Sequence, residues 1–361
     1  MQHRPLISQD REGGALMIQK LKPVLSSKEI LHRIIGPDLS PSAIARFKSL
    51  SEQELRACAR NMHHLQVLEG EHPFSLASLE LKLSLLNTLS EKLGGICLTP
   101  TTKTIMFEDN HFEFTLDNFI HHYSVGCNHH PNQDSVISSL ETSTDGRILL
   151  SGTHVHGVFD GVTVQKGDGQ VASRKAARIL SAAAAIGALE STFDLKLLLE
   201  GINLDLYRMG GFATTGSIAL VQSNRIIISG VGDSKELLVF SEGETKMPER
   251  PHFFLGEECS LPEKSVSVHQ LVINQPFTLV LMSDGVPSVF VDPYPRYADI
   301  IRKRLAMDYP ILSGLGPRIV HSFDRCRSFC ASGHGDDSSL VITLVGQTRP
   351  RGLLSYLPEV E

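Results

Sequence analysis

The sequence predicts an α+β fold in which two β-sheets pack face to face, with helices outside them and a helical region at the N-terminal end. Strand-like segments occur in two runs, at about 100–159 and about 214–283, and an alanine-rich helix over 171–189 lies between the runs. Runs of strands separated by helices are typical of a sandwich covered by helices. The segments after the second run are two helices and one strand: 296–307, 315–330 and 340–345.

The helical region is predicted by caps and periodicity. Ser51 and Glu54 form a capping box that predicts a helix running to about Gln66, and a leucine-rich helix follows Ser75. No cluster of catalytic residue types occurs in this region, so we interpret it as a regulatory or docking segment. The chain therefore divides into a flexible N-terminus, a helical region, a β-rich domain and a C-terminal tail: 1–25, 26–100, 101–347 and 348–361.

Composition and charge restrict the class of protein. The chain has 361 residues, of which 41% are hydrophobic and 20% charged, values typical of a globular protein. A formal net charge of −6 disfavours nucleic acid as a partner. The six cysteines form no Cys-x-x-Cys pair, which indicates a reducing compartment. We see neither a secretory signal nor an apolar run long enough for a membrane helix, so we expect a cytoplasmic protein without membrane contact.

Carboxylates recur where predicted strands begin or end. The apolar strand before Phe159 ends in Asp160-Gly161, and the strand before Ser283 ends in Asp284-Gly285. Asp134 and Asp336 lie next to two other strand-like runs. An Asp-Gly pair alone more often closes a turn. Four such sites, far apart in the sequence, are what a metal centre with oxygen ligands requires.

Two histidines suggest a different metal. His154 and His156 alternate along one strand and could share a face, as zinc ligands do. No third ligand with a fixed spacing accompanies them, so we interpret both as structural residues of the sheet.

Six short motifs occur in the order found in the metal-dependent protein phosphatase 2C superfamily, which the chain resembles over about residues 104–346. Each motif is unspecific alone, but their common order and the strands that lead into them make the resemblance specific. The motifs are Asn132-Gln133-Asp134, Gly157 to Gly161, Ala213 to Leu220, Val231 to Ser234, Ser283-Asp284-Gly285 and Asp336 to Ser339.

The resemblance implies a four-layer α-β-β-α sandwich of two antiparallel sheets, with a metal site at one end between the sheets. It implies hydrolysis of phosphoserine and phosphothreonine on proteins by a water activated by two Mg²⁺ or Mn²⁺ ions. Asp160 would bridge both ions and the Gly161 carbonyl would bind one of them. Asp284 and Asp336 would bind the other, and Asp134 would act near the ions through bound waters. Asp233 is commonly structural in the superfamily and receives no catalytic role.

The chain departs from the superfamily pattern at three places. Many relatives carry His-Gly-Gly after the Asp-Gly pair, whereas this chain continues with Val162-Thr163-Val164. His129 occupies the position of a phosphate-binding arginine and is our candidate substrate contact. A carboxylate used by some relatives for a third metal is matched only approximately, by Asp205.

These departures leave two alternatives open. The chain could be a catalytically impaired relative that keeps the fold and acts as a binding or regulatory protein. It could also be an active phosphatase whose N-terminal helices bind a partner protein or a second copy of the chain. Intact carboxylates favour an enzyme, and the expected substrate is a phosphoprotein in a signalling pathway.

Overall fold

A computed structural model describes the chain in residues 49–92, 101–107, 120–125, 131–142, 153–162, 169–210, 212–222, 225–240, 243–246, 251–273, 275, 277–286 and 336–345. The predicted helices at 296–307 and 315–330 and the candidate substrate contact His129 lie outside these residues.

Four helices occur in the described part of the chain. They are α1 (Glu52–Glu71), α2 (Leu76–Lys92), α3 (Gly169–Ala185) and α4 (Thr192–Met209). The capping box predicted for α1 is present, because Glu54 N donates to Ser51 Oγ at 3.3 Å while Ser51 N donates to the Glu54 carboxylate at 2.9 Å. Among the described helices, none has the length and hydrophobicity needed to cross a lipid bilayer.

The strands of the described segments form two large antiparallel sheets and one small one. The strands are β1 (Thr101–Phe107), β2 (Ile120–Val125), β3 (Ser135–Thr142), β4 (Thr153–Phe159), β5 (Gly161–Val162), β6 (Ala213–Thr214), β7 (Gly216–Gln222), β8 (Arg225–Val231), β9 (Lys235–Phe240), β10 (Gly243–Lys246), β11 (Ser267–Val272), β12 (Phe277–Met282) and β13 (Ser338–Val345). The first sheet has the order β1-β3-β4-β7-β8-β11, the second β10-β9-β12-β13-β2, and β5 pairs with β6. The prediction of an α+β fold with two antiparallel sheets is confirmed.

Two hydrophobic cores stack on opposite faces of the first sheet. One core lies between the sheets and includes Val158 and Ala219 of the first sheet and Leu279 and Val341 of the second. The other lies between the first sheet and helices α3 and α4. Its members, all buried, include Ile137, Phe159, Leu220, Ala176, Leu180, Leu198, Ile202, Phe74 and Leu79. The small side chains of α3 let this helix lie close to the sheet, as its alanine content predicts.

The chain divides into two compact units. Among the described residues, the first consists of 49–64 and 85–92, and the second of 65–84 and everything from 101 onward. In the first unit Cys58 and Met62 are buried on α1. In the second, Phe74 and Leu79 belong to the same core as α3 and α4. The segment 65–84 is therefore packed into the β-rich unit. The predicted domain boundary near residue 100 stays a prediction.

Two local features differ from the sequence analysis. Helix α3 ends at Ala185 instead of 189, because Gly187 takes a left-handed φ of 65°. Helix α4 was not assigned, although Ser191 and Asp194 form a capping box at its start and Gly210 ends it with a φ of 87°. Its packing against α3 and the first sheet supplies much of the outer core.

Candidate metal site

Asp134 directly precedes β3 and is buried between the sheets, with 1% of its surface exposed. Its backbone N–H donates to Asn132 Oδ1 at 3.0 Å, and Ser283 Oγ donates to its Oδ2 at 2.9 Å. Its Oδ1 is buried without a hydrogen-bond partner among the described residues. Burial raises the pKa of Asp134 to about 8, the negative charge of Asp337 adds to the rise, and hydrogen bonds from Ser339 and Ser283 oppose it.

Asp160 follows the last residue of β4, at the same end of the sandwich. Its carbonyl accepts hydrogen bonds from Thr214 Oγ1 at 2.7 Å and from Thr215 N at 2.8 Å, so its backbone is fixed from the side of β6. Burial raises the pKa of Asp160 well above its usual range, and the charges of Asp134 and Asp284 raise it further. The fixed backbone therefore holds a carboxyl group against other carboxylates.

Position 161 requires a glycine, because the backbones of two other segments pack directly against it. A Cβ atom at this position would lie 2.2 Å from the carbonyl oxygen of Gly169 and 2.6 Å from that of Gln133. The Gly161 N–H donates to the Gln133 carbonyl at 3.2 Å. The first residue of α3, Gly169, is thus a close neighbour that excludes a side chain at position 161.

Asp284 follows β12 and lies opposite Asp160. Its Oδ1 is buried without a hydrogen-bond partner in the described part of the chain. Burial raises the pKa of Asp284, and the charges of Asp336 and Asp233 contribute to the rise. Asp336, just before β13, is exposed and accepts a hydrogen bond from Asp337 N at 2.9 Å through its Oδ1.

Antiparallel pairing explains why these carboxylates meet. Residues that precede β3 and β13 lie at the same end of the sheets as residues that follow β4 and β12. The Ser283–Asp134 hydrogen bond joins the two sheets at this end. The structure thus brings together Asp134, Asp160, Asp284 and Asp336, which the sequence analysis selected. Their roles as metal ligands stay a prediction.

Asp233 is a member of the site that the sequence analysis left without a role. Carboxylate oxygens of Asp160, Asp233 and Asp284 lie within 4.8 Å of one another, and this is the group of possible metal ligands found among the described residues. Thr215 Oγ1 and the Ser234 hydroxyl lie 2.7 Å apart, which ties the turn of Asp233 to the segment that fixes Asp160. Asp233 also follows a strand, β8, so the strand-end pattern that selected the other carboxylates could have found it.

Other residues considered in the sequence analysis lie away from this group. Asp205, the approximate match to a third-metal carboxylate, accepts a hydrogen bond from Leu76 N at 2.9 Å and lies 3.7 Å from Lys175 Nζ. It therefore caps helix α2. His154 and His156 are both buried, and His156 Nδ1 lies 2.9 Å from Ser138 Oγ. Their interpretation as structural residues of the sheet stays a prediction.

The carboxylates fit a divalent cation. Several negative groups crowd together in a partly buried space, so the charged form of each is disfavoured unless a positive charge joins them. Two buried carboxylate oxygens, on Asp134 and Asp284, have no hydrogen-bond partner among the described residues. Carboxylate and carbonyl oxygens are the donors that hard cations such as Mg²⁺ and Mn²⁺ prefer.

Comparison with known proteins finds likenesses among solved structures. A scan against protein-family models finds no match, and a search of curated proteins finds none either. A bacterial serine phosphatase is 18% identical, over 64% of this chain and 98% of its own, with a TM-score of 0.46. The serine/threonine phosphatase Stp1 from Staphylococcus aureus is also 18% identical, over 66% of this chain and 99% of its own, with a TM-score of 0.45.

A third solved structure is the catalytic domain of the serine/threonine protein phosphatase PstP in complex with two manganese ions. It is 17% identical, over 67% of this chain and 100% of its own, with a TM-score of 0.41. All three are named as serine or serine/threonine phosphatases. The function proposed below rests on the acidic site.

Proposed function

We propose that this protein is a metal-dependent phosphatase that hydrolyses phosphoserine and phosphothreonine on proteins. The observation that carries the proposal is the meeting of carboxylates from five strand ends at one place. Asp160, Asp233 and Asp284 offer oxygens within 4.8 Å of one another, and Asp134 and Asp336 act on them electrostatically. A stable fold gains nothing from crowding negative charges, so a cation is the simplest reason for the arrangement.

The proposed ligands are Asp160, the Gly161 carbonyl, Asp284 and Asp336, with Asp233 added from the structure and Asp134 acting close by. We propose Mg²⁺ or Mn²⁺, two ions per site, as the sequence resemblance implies. When bound, such ions supply an activated water and neutralise charge on the phosphoryl oxygens.

The chain's own residues hold the site in shape and control its protons. Thr214 and Thr215 fix the Asp160 backbone, and Ser283 fixes one oxygen of Asp134. Because the pKa values of Asp134, Asp160 and Asp284 are raised, the metal-free site holds protons that must leave before cations bind.

Substrate and setting follow from the sequence. We propose a phosphoprotein substrate in a cytoplasmic signalling pathway, with His129 as a contact for the substrate phosphate. The N-terminal helices are proposed to dock a partner. The rival function, a binding protein without catalysis, is favoured by the altered segment after Gly161 and by histidine in place of arginine at position 129.

Turnover of a phosphopeptide with and without Mn²⁺ tests the proposal. We expect release of phosphate that depends on Mn²⁺ and disappears in chelator. Asp160→Asn is expected to lower kcat/KM at least about 100-fold, because a cation's stabilisation of the transition state is worth several kcal/mol.

Glu263→Gln is the matched control, since it removes an exposed carboxylate from a 3₁₀ turn elsewhere. It should leave turnover unchanged. Wild-type protein that binds Mn²⁺ but releases no phosphate from any phosphopeptide would favour the rival function. A folded Asp160→Asn variant with normal turnover would exclude this site as the catalytic centre.

A further inference from the structure

Asp337 is a buried carboxylate next to the site, with 2% of its surface exposed, and the sequence analysis gave it no role. Its Oδ2 accepts a hydrogen bond from Gln133 N at 2.6 Å, across 204 positions of sequence. The carbonyl of Gln133 in turn accepts the N–H of Gly161 at 3.2 Å. One residue, Gln133, therefore links Asp337, through its N–H, to the segment that carries Asp160, through its carbonyl.

The segment that carries Asp337 also contacts the loop that follows Asp284. A Cβ atom on Gly285 would lie 2.2 Å from the Asp337 carbonyl oxygen, so the two backbones touch. Ser338 Oγ donates to the Gly285 carbonyl at 3.1 Å. Asp337 thus lies where three loops meet, and each of these loops carries one carboxylate of the site.

We propose that Asp337 is a positioning residue that sets the spacing of the metal site through the backbone of Gln133; this rests on the proposed function. A hydrogen bond from an N–H to a carboxylate in a buried place is stronger than one between neutral groups, so it can hold a loop firmly. Gln133 lies directly before Asp134, and its carbonyl accepts the Gly161 N–H. A shift of the Gln133 backbone would therefore move two segments of the site together. Replacing a group that hydrogen-bonds to a metal-binding segment and orients it typically lowers metal affinity about 10- to 100-fold.

The test is Mn²⁺ binding by calorimetry on the full chain, with Asp337→Ala, Asp337→Asn and a control. Asp337→Ala removes the acceptor, and we expect the Kd for Mn²⁺ to rise about 10- to 100-fold. Asp337→Asn keeps an oxygen that can accept the Gln133 N–H but removes the charge, so we expect a smaller rise. At saturating Mn²⁺ the kcat of both variants should return toward the wild-type value.

Asn203→Ala is the matched control. Asn203 is equally buried and also accepts a loop N–H through its side chain, from Gly256 at 2.8 Å, but it lies on α4. It should lower thermal stability and leave the Kd for Mn²⁺ unchanged. If Asp337→Ala fails to fold, Asp337→Asn still carries the test.

The inference is overturned if Asp337→Asn and any folded Asp337→Ala protein bind Mn²⁺ as the wild type does. It is also overturned if Asn203→Ala weakens binding equally, because the effect would then be a general loss of stability. Wild-type protein that binds no Mn²⁺ overturns the inference together with the proposed function. Wild-type protein that binds Mn²⁺ without hydrolysis refutes the proposed function alone, and the ranking of Kd values still decides the role of Asp337.

Discussion

Binding of a divalent cation to the acidic site should be strongly coupled to pH. The pKa of Asp134 is raised to about 8, and those of Asp160 and Asp284 are raised as well, with burial as the leading cause for all three. At neutral pH the metal-free site therefore holds protons. A cation binds the ionised carboxylates, so each proton held must be displaced. The perturbation is a change from pH 6 to pH 8.

The size of the effect follows from Asp134. At pH 6 a group with a pKa of about 8 is ionised in only about one molecule in a hundred, and at pH 8 in about half of them. If binding requires its ionised form, the Kd for Mn²⁺ should fall about 50-fold over this range from Asp134 alone. The raised pKa of Asp160 should make the fall steeper.

Titration calorimetry with Mn²⁺ at pH 6, 7 and 8 measures this fall. Repeating each titration in two buffers of different ionisation enthalpy gives the number of protons released, and we expect at least one per chain at pH 7. Asp134→Asn is the control, because it cannot release that proton. Its Kd should depend less on pH than that of the wild type.

Thermal unfolding provides a second test, because the pKa shift fixes the direction in which Tm changes with pH. The folded-state pKa of Asp134, about 8, lies above that of an aspartate in the unfolded chain, so its contribution to stability is complete below about pH 4 and is lost as pH rises through about 8. Metal-free protein should therefore lose Tm from pH 6 to pH 8, and Mn²⁺ should restore more of it at pH 8. A Kd that is flat between pH 6 and 8, with no heat that depends on the buffer, would refute this reasoning, because the carboxylates would already be ionised.

Three further predictions concern other parts of the chain. His129→Arg should lower KM for a phosphopeptide, because arginine offers a permanent charge and two parallel donors to phosphate. Asp205→Ala should lower the free energy of unfolding by about 1–2 kcal/mol in urea, since it removes the cap on Leu76 and the partner of Lys175. A chain that starts at Leu98 should aggregate, because it lacks the buried side chains that 65–84 adds to the outer core.

Each of these predictions has an outcome that contradicts it. An unchanged or higher KM for His129→Arg would mean that position 129 does not contact phosphate. Asp205→Asn keeps an acceptor for the Leu76 N–H, so stability equal to that of Asp205→Ala would argue against the cap. A soluble, monodisperse chain from Leu98 with normal Mn²⁺ binding would show that the β-rich unit folds without the preceding helices.

Local patterns determined much of what the structure contains. Strand-like runs predicted strands within 100–159 and 214–283 and at 340–345, where β3, β8, β12 and β13 lie, and the capping box at Ser51 predicted the start of α1. Helix α4 was missed, although Ser191, Asp194 and Gly210 carried the same kind of signal. These features depend on residues within a few positions of each other, so they can be read directly from the sequence.

Carboxylates at strand ends were also visible in the sequence, but their arrangement was decided by tertiary structure. The pairing of β3 with β4 places Asp134 near Asp160, and the pairing of β12 with β13 places Asp284 near Asp336. Contact between the two sheets, as in the Ser283–Asp134 hydrogen bond, brings both pairs to one end of the sandwich. Asp233 joins Asp160, and Asp337 reaches the Gln133 peptide, through contacts between residues far apart along the chain.

Asp205 is a further residue whose role was decided by tertiary structure. Its residue type suggested a metal ligand, whereas the packing of α4 beside α2 makes it a helix cap. The sequence by itself determined which side chains are available and which elements carry them. The tertiary structure decided which of these side chains share a space, because that depends on strand order and on packing between residues that no local pattern connects.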